Sequence, residues 1–234
     1  MSGRGDHAGA RPPQDLAAAL GHRFADASLL REALAHPSAA SSTARSYERL
    51  EFLGDRVLGL VIADLLVARF PGEPEGDLAR RFATLVNRDS LAAVAQDMEL
   101  GRYLVLAKGE EESGGRRNPA NLADSLEAVI GALYRDGGFD AARRFVESHW
   151  TARIEASPEP PQDAKTALQE LAQRLRKPLP VYRTITMEGP SHDPTFCIEV
   201  EVEGFPPESA RGSSKRAAER AAAAALLAKL DTRP

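Results

Sequence analysis

Apolar positions recur with a helical period over the first two thirds of the chain and with a period of two in part of the last third. Between Tyr47 and Leu60 the sequence reads YERLEFLGDRVLGL. Leu50, Leu53, Val57, Leu60 and Val61 fall within about 100° of arc at about 100° per residue, which predicts an amphipathic helix that stops before Pro71. Upstream, Asp15 to Leu20 and Ser28 to Ala35 read as two short helices joined by GHRFADA, with Asp26 as an N-cap. His36-Pro37-Ser38 ends the second, because the residue before proline is pushed out of the helical region. Ser41 to Ser46 is a polar loop.

Downstream, Leu78, Phe82, Leu85 and Val86 recur at helical spacing in a helix started by Glu75-Gly76-Asp77, with Asp77 as its N-cap. Asp89 to Met98 forms another, with Gly101 as the C-terminal glycine. Lys108 to Asn118 is a Gly-rich charged loop. From Leu122 to Arg135, Leu126, Val129, Ile130 and Leu133 form an apolar face, and Asp140 to Ile154 closes an all-helical domain. EASPEPPQD, residues 155–163, is rich in proline and acids and reads as a linker. Beyond it, Lys165 to Arg176 is helical and Pro180 to Glu188 strand-like. Thr195 to Glu203 alternates, with Phe196, Ile198, Val200 and Val202 on one face. A third short strand near Glu208 to Gly212 and an Ala-rich helix from Lys215 to Leu230 complete an α-β-β-β-α module. The expected organisation is a disordered tail over 1–13, an all-α domain over 14–154, the linker, and a small α+β domain over 164–232.

Charge changes this picture more than composition does. The net charge of −4 divides unevenly: residues 1–161 hold 19 Lys+Arg against 24 Asp+Glu, a net of −5, and residues 162–234 hold 11 against 10, a net of +1. Acidity concentrates on two helices. Glu48, Glu51 and Asp55 lie at i, i+3 and i+7, within about 60° of one another, and Asp124 and Glu127 lie at i and i+3 beside Ala128 and Gly131. Three acids on a helix are ordinarily a solvated face, but stacked like charges repel unless compensated. Phe52 and Gly59, on or beside the acidic face, do not suit a merely wet one. Small residues beside the acids of the second helix let another backbone approach, so the two helices would present Glu51, Asp55, Asp124 and Glu127 together. A divalent cation with oxygen ligands makes such a cluster tolerable. One cysteine, Cys197, precludes an intrachain disulfide and fits a reducing compartment, the cytoplasm. No basic-then-apolar leader opens the chain, and the most apolar stretch is broken by Asp64 and Arg69, so no membrane partner is expected. No phosphate-cradling G-K-[ST] loop, C-x-x-C pair or H-E-x-x-H is present, so neither a nucleotide cofactor nor zinc is expected.

Taken in order, E48-R-L-E51-F-L-G-D55, E75-G-D77, G114-G115 and L122-A-D124-S-L-E127-A resemble the ribonuclease III domain. K165-T166-A-L-Q169-E170, the loop G189-P-S-H192-D-P194 and G212-S-S-K215-R216-A-A-E219 resemble a double-stranded-RNA-binding domain. The resemblance covers about residue 14 to 231 and implies a Mg²⁺-dependent endonuclease, with Mn²⁺ able to substitute. Such an enzyme cuts both strands of double-stranded RNA to leave 5′-phosphates, 3′-hydroxyls and short 3′ overhangs, in ribosomal-RNA processing and other RNA maturation or decay. Carried over by position, Glu51, Asp124 and Glu127 would be metal ligands, Glu127 the most direct, and Asp55 the residue tied to the attacking water. Glu48 and Glu75 match positions that help hold RNA or the site, and Glu110 a carboxylate just beyond the ligands; for these a plain structural role stands beside the functional one. Thr166, Gln169, Glu170 and Gln173 would meet one minor groove and His192 the next. Lys215 and Arg216 would grip phosphates across the intervening major groove. The family is homodimeric, which would explain Phe52 as a partner contact.

Three positions depart from the family pattern: Arg81-Phe82 where an apolar residue then arginine is usual, Asn121 where an aliphatic residue is usual, and Arg56 beside Asp55. None removes a cluster acid, so activity is expected to be retained. Two other classes stay in view: an RNA binder that keeps the fold without cutting, and a carboxylate-metal enzyme acting on a small molecule. The intact acids argue against the first and the RNA-binding module against the second.

Overall fold

In the computed structural model, residues 10–39, 46–157, 159–161, 163–190 and 194–231 are described, and the chain divides into two compact units, residues 1–161 and 162–234. The first unit is helical: α1 (Pro13–Ala19), α2 (Ala27–Ala33), α3 (Glu48–Arg69), α4 (Glu75–Leu85), α5 (Arg88–Asp97), the short α6 (Lys108–Glu112) and α7 (Pro119–Glu155). Its core is built on α3 and α7. Leu58, Ile62 and Leu66 from the one and Leu126, Ile130, Leu133 and Trp150 from the other are fully buried. The indole of Trp150 donates to the carbonyl of Leu85 at 2.9 Å, which fixes the end of α4 against α7.

The α3–α7 crossing is set by two glycines. A Cβ on Gly54 would collide with the backbone carbonyl of Glu127, and one on Gly131 with that of Leu50. The two backbones therefore touch where the acidic residues stand. This approach rotates α3 relative to the expected apolar face: Gly54, Leu58 and Ile62 join Leu50, Val57 and Val61 in the core, while Leu60 turns outward at 59 % exposure. The acids consequently sit on the shoulder of the core instead of opposite it. Gly138, at φ 72°, interrupts α7 and separates its acidic half from the half that carries Trp150.

Just before that kink, Asp136 is a local anchor. Its carboxylate accepts from the backbone N–H groups of Ala25 (2.9 Å) and Asp26 (2.8 Å) and meets His22 Nε2 at 2.8 Å. Asp26 caps α2 as expected, accepting from Ser28 N–H.

Several local expectations are corrected. Within the expected tail, Arg11 N–H donates to Arg102 O at 2.8 Å and α1 starts at Pro13, so residues 11–13 are tied to the helical unit. Asp77 is not the cap of α4, since Pro74 occupies that position and the Asp77 carboxylate pairs with Arg80. After α5 the left-handed residue is Glu99 (φ 54°), not Gly101. Gly101 is required for another reason, because a Cβ there would meet Arg116 O. The expected 108–118 loop contains α6 and a turn of 3₁₀ helix at Gly115–Arg117. The polar loop expected at 41–46 lies outside the described residues except for Ser46.

The second unit comprises α8 (Ala164–Arg174), an antiparallel sheet in the order β1 (Val181–Glu188), β2 (Thr195–Glu201), β3 (Glu208–Gly212), and α9 (Lys215–Asp231). Its core joins Leu168 and Ala172 of α8, Val200 of β2 and Val202 just beyond it, and Ala222, Ala223 and Leu226 of α9. The alanine run has a packing reason. A Cβ on Gly212 would strike the backbone of Ala218, so α9 lies close against β3 where only small side chains fit. No helix among the described residues is long and apolar enough to cross a membrane.

Candidate active site

At the α3–α7 crossing, ligand oxygens of Glu51, Asp124 and Glu127 lie within 4.8 Å of one another, all three side chains half-buried. The glycine contacts produce this proximity. Glu51 stands one turn before Gly54, and Glu127 one turn before Gly131, so the backbone approach draws the two acids together. Asp124 lies one turn earlier on α7, on the same face. Asp55 stands outside this trio: its side chain is 44 % exposed and paired with Arg56, which also lies over the Phe52 ring at 5.1 Å.

The trio is electrostatically strained. Burial, then Glu51 and Asp124, push the Glu127 carboxyl up to about 7, against Arg56 and Arg88. Burial, then Asp124 and Glu48, raise Glu51. Burial raises Asp124, with Arg88 and His36 acting against it. Buried Tyr47, first residue of the motif, feels the same field: burial, then Asp124, Glu51, Glu48 and Glu110, raise its hydroxyl. Acids in this arrangement resist ionisation together unless a cation joins them. The donor set of carboxylate oxygens suits a hard divalent ion.

The other expected residues are placed variously. Glu48 is exposed and accepts from Ser46 Oγ at 2.8 Å. Glu75 is exposed at the start of α4. Glu110 is half-buried, and its Oε1 accepts from Asn121 Nδ2 at 2.8 Å. Phe52 is 67 % exposed. In the second unit Thr166, Gln169, Glu170 and Gln173 form one exposed face of α8, opposite Leu168 and Ala172, and Lys215 and Arg216 are exposed at the start of α9. His192 lies outside the described residues.

Two departures from the family pattern now have physical accounts. Asn121 is buried and bridges Glu110 to Gly115 O, so its amide fastens the 108–117 segment to α7. Arg81, 2 % exposed, makes a two-point pair with Glu73 (2.8 and 2.6 Å), donates to Ser157 O and stacks on Phe70 at 3.7 Å. It serves the fold. Residues that the sequence reading passed over are Gly54, Tyr47, Arg88 and His36. Gly54 and Tyr47 stood inside the acidic motif, whereas Arg88 and His36 gave no signal, being distant in sequence from the acids they face.

Both units match known protein families. Residues 26–154 match the family model described as Ribonuclease-III-like, and residues 164–230 the double-stranded RNA binding motif. The chain is 50 % identical to Ribonuclease 3 of Azorhizobium caulinodans over 217 residues, 92 % of each chain. It is 47 % identical to that of Cereibacter sphaeroides over 214 residues, 92 % of this chain and 93 % of the relative. Among solved structures, the nuclease domain of ribonuclease III from Campylobacter jejuni, described for structural flexibility in a region involved in dimer formation, matches with a TM-score of 0.56 and 38 % identity. It covers 60 % of this chain and 99 % of that one.

Proposed function

Since the chain belongs to the ribonuclease III family, we propose that Glu51, Asp124 and Glu127 are the carboxylates with which it cuts both strands of double-stranded RNA. It is a double-stranded-RNA endoribonuclease with a helical nuclease unit and an RNA-binding unit. The observation that carries the site is the convergence of three half-buried carboxylates within 4.8 Å where α3 and α7 touch.

These three residues would hold a divalent cation, Mg²⁺ with Mn²⁺ as a substitute, since hard cations take carboxylate oxygens. Such an ion, when bound, makes water more acidic and offsets charge on the phosphate. The chain's own groups do the rest. Asp55, a turn beyond Glu51, orients the attacking water, and Arg56, paired with Asp55, offsets its charge before substrate enters. Tyr47 and Asn121 with Glu110 pack the acids' surroundings and keep them in place. Products carry 5′-phosphates and 3′-hydroxyls with short 3′ overhangs, and the substrates include ribosomal-RNA precursors in the cytoplasm.

In the second unit, the exposed face of α8 would meet a minor groove through Thr166, Gln169, Glu170 and Gln173, with His192 at the next. Lys215 and Arg216 would meet phosphates from the start of α9. Two copies would pair through α3, whose exposed Phe52, Leu60 and Val67 fall within about 80° of arc, setting one site on each strand of a duplex.

Cleavage of a long RNA duplex by the parent and by Glu127→Ala, with Mg²⁺ and with chelator, tests the site. The expected result is cutting by the parent with metal only, and duplex binding without cutting by the variant. Cleavage by Glu127→Ala at the parent rate would refute the assignment.

A further inference from the structure

Inside the RNA-binding unit, one ion pair joins the roots of the two elements just assigned to RNA. Lys165, second residue of α8 and neighbour of Thr166, donates from Nζ to Glu219 Oε2 at 2.6 Å; Glu219 stands one turn after Lys215 on α9. The pair is sheltered, with side-chain exposures of 35 % and 17 %. The Lys165 ammonium also lies 4.6 Å from the centre of the Tyr182 ring on β1, so three elements meet at this point. The Tyr182 hydroxyl is buried without a hydrogen-bond partner among the described residues, and burial followed by Glu219 and Asp163 pushes it up to about 12.

The surrounding packing explains why a directional contact is needed there. The core between α8 and α9 sets Leu168 and Ala172 against Ala222, Ala223 and Leu226. Alanines give a shallow surface, which fixes how far apart two helices lie better than how far one slides along the other. A slip by one residue moves a helix about 1.5 Å along its axis. Contacts that must span a minor groove and the adjoining major-groove phosphates do not tolerate such a slip.

We infer that Lys165 and Glu219 are positioning residues for double-stranded RNA, an ion pair that fixes the axial register of α8 against α9 so that both meet one duplex. The inference rests on the reading that the α8 face and Lys215 and Arg216 touch RNA. It makes a prediction opposite in sign to simple charge. Removing an acid beside a polyanion site should tighten binding by electrostatics alone; removing Glu219 should weaken it.

The test measures affinity of the full chain, in chelator so that no cutting occurs, for an RNA duplex longer than about 16 base pairs. The variants are Glu219→Gln, the exchange Lys165→Glu with Glu219→Lys, and Lys215→Ala with Arg216→Ala. Glu219→Gln should bind about fivefold to tenfold more weakly at an unchanged melting temperature, the exchange should restore affinity to within about twofold, and in a separate assay with Mg²⁺ the cleavage defect should lie in KM and not kcat. Equal or tighter binding by Glu219→Gln overturns the inference, as does an exchange variant that folds but stays weak. If Lys215→Ala with Arg216→Ala binds like the parent, the underlying assignment of the RNA face fails and takes this inference with it. Loss of affinity there, with none in Glu219→Gln, sinks the positioning role alone.

Discussion

Glu127 carries the largest consequence of a single residue's environment. Burial and its two neighbouring acids hold its carboxyl at about 7, against 4.5 for an ordinary glutamate. For a group whose folded-state pKa is raised, the stabilising contribution is complete below the unfolded value and is lost as pH rises through the folded one. Metal-free protein should therefore lose stability between about pH 4.5 and about pH 7, and Glu127→Gln should flatten that part of the profile. A divalent cation favours the ionised carboxylate, so Mg²⁺ should raise the melting temperature more near pH 8 than near pH 5. Thermal denaturation at both pH values, with Mg²⁺ and with chelator, checks this; equal shifts would contradict it. Asn121 permits a second prediction. Its amide is buried against Glu110 and Gly115 O, so Asn121→Leu, which restores the family's aliphatic character, should cost about 1–3 kcal/mol by leaving acceptors unpaired, measurable by urea unfolding. From the sequence Asn121 was visible only as an anomaly, because its partners lie in a segment that carries no hydrophobic period.

For the helices, the decisive event is the approach of α3 to α7. Gly54→Ala places a methyl group against backbone and not against a movable side chain, so the helices must separate. We expect destabilisation of about 3 kcal/mol, the upper end for overpacked cores, and a fall in cleavage beyond what the lost stability explains, since Glu51 and Glu127 separate too. Unfolding measurements together with kcat at a temperature where the variant is fully folded would separate the two effects. The same contact marks the limit of what could be read from the chain. The acids of each helix were legible because their spacing lies within one helix, and Gly131 beside Asp124 and Glu127 announced a close neighbour. The rotation of α3 was not legible, because it depends on the α7 backbone occupying the space above Gly54, a fact about tertiary contact. For the same reason Leu60, which lies on the apolar arc of the sequence, is exposed. In the second unit the period of two carried through β2, and just past its end, to burial of Ile198, Val200 and Val202, since a sheet covered on one face by helices leaves alternation little freedom.

Across the whole molecule, an acidic catalytic unit is paired with a slightly basic binding unit, −5 against +1, and this division constrains how RNA is captured. Attraction for a polyanion has to come from the RNA-binding unit and from bound cation. A second copy adds a second binding unit and a second site. On the exposed side of α3, Phe52, Leu60 and Val67 are 67, 59 and 60 % exposed, with Arg56 over the Phe52 ring, and a second copy pairing as proposed would cover them. Burying these side chains against their equivalents stabilises by about 1.5–3 kcal/mol for each one fully covered. Leu60→Glu would instead set two like charges near one another across a two-fold axis. The parent should sediment as a dimer of 25.2 kDa chains, and Leu60→Glu as a monomer with an unchanged helical content by circular dichroism. Because Leu60 lies away from the carboxylate trio, the isolated monomer should keep its metal response while losing the coordinated cutting of both strands, so nicked duplex accumulates before double-strand product. A dimeric Leu60→Glu protein, or a monomer that yields double-strand product without a nicked intermediate, would place the subunit contact elsewhere.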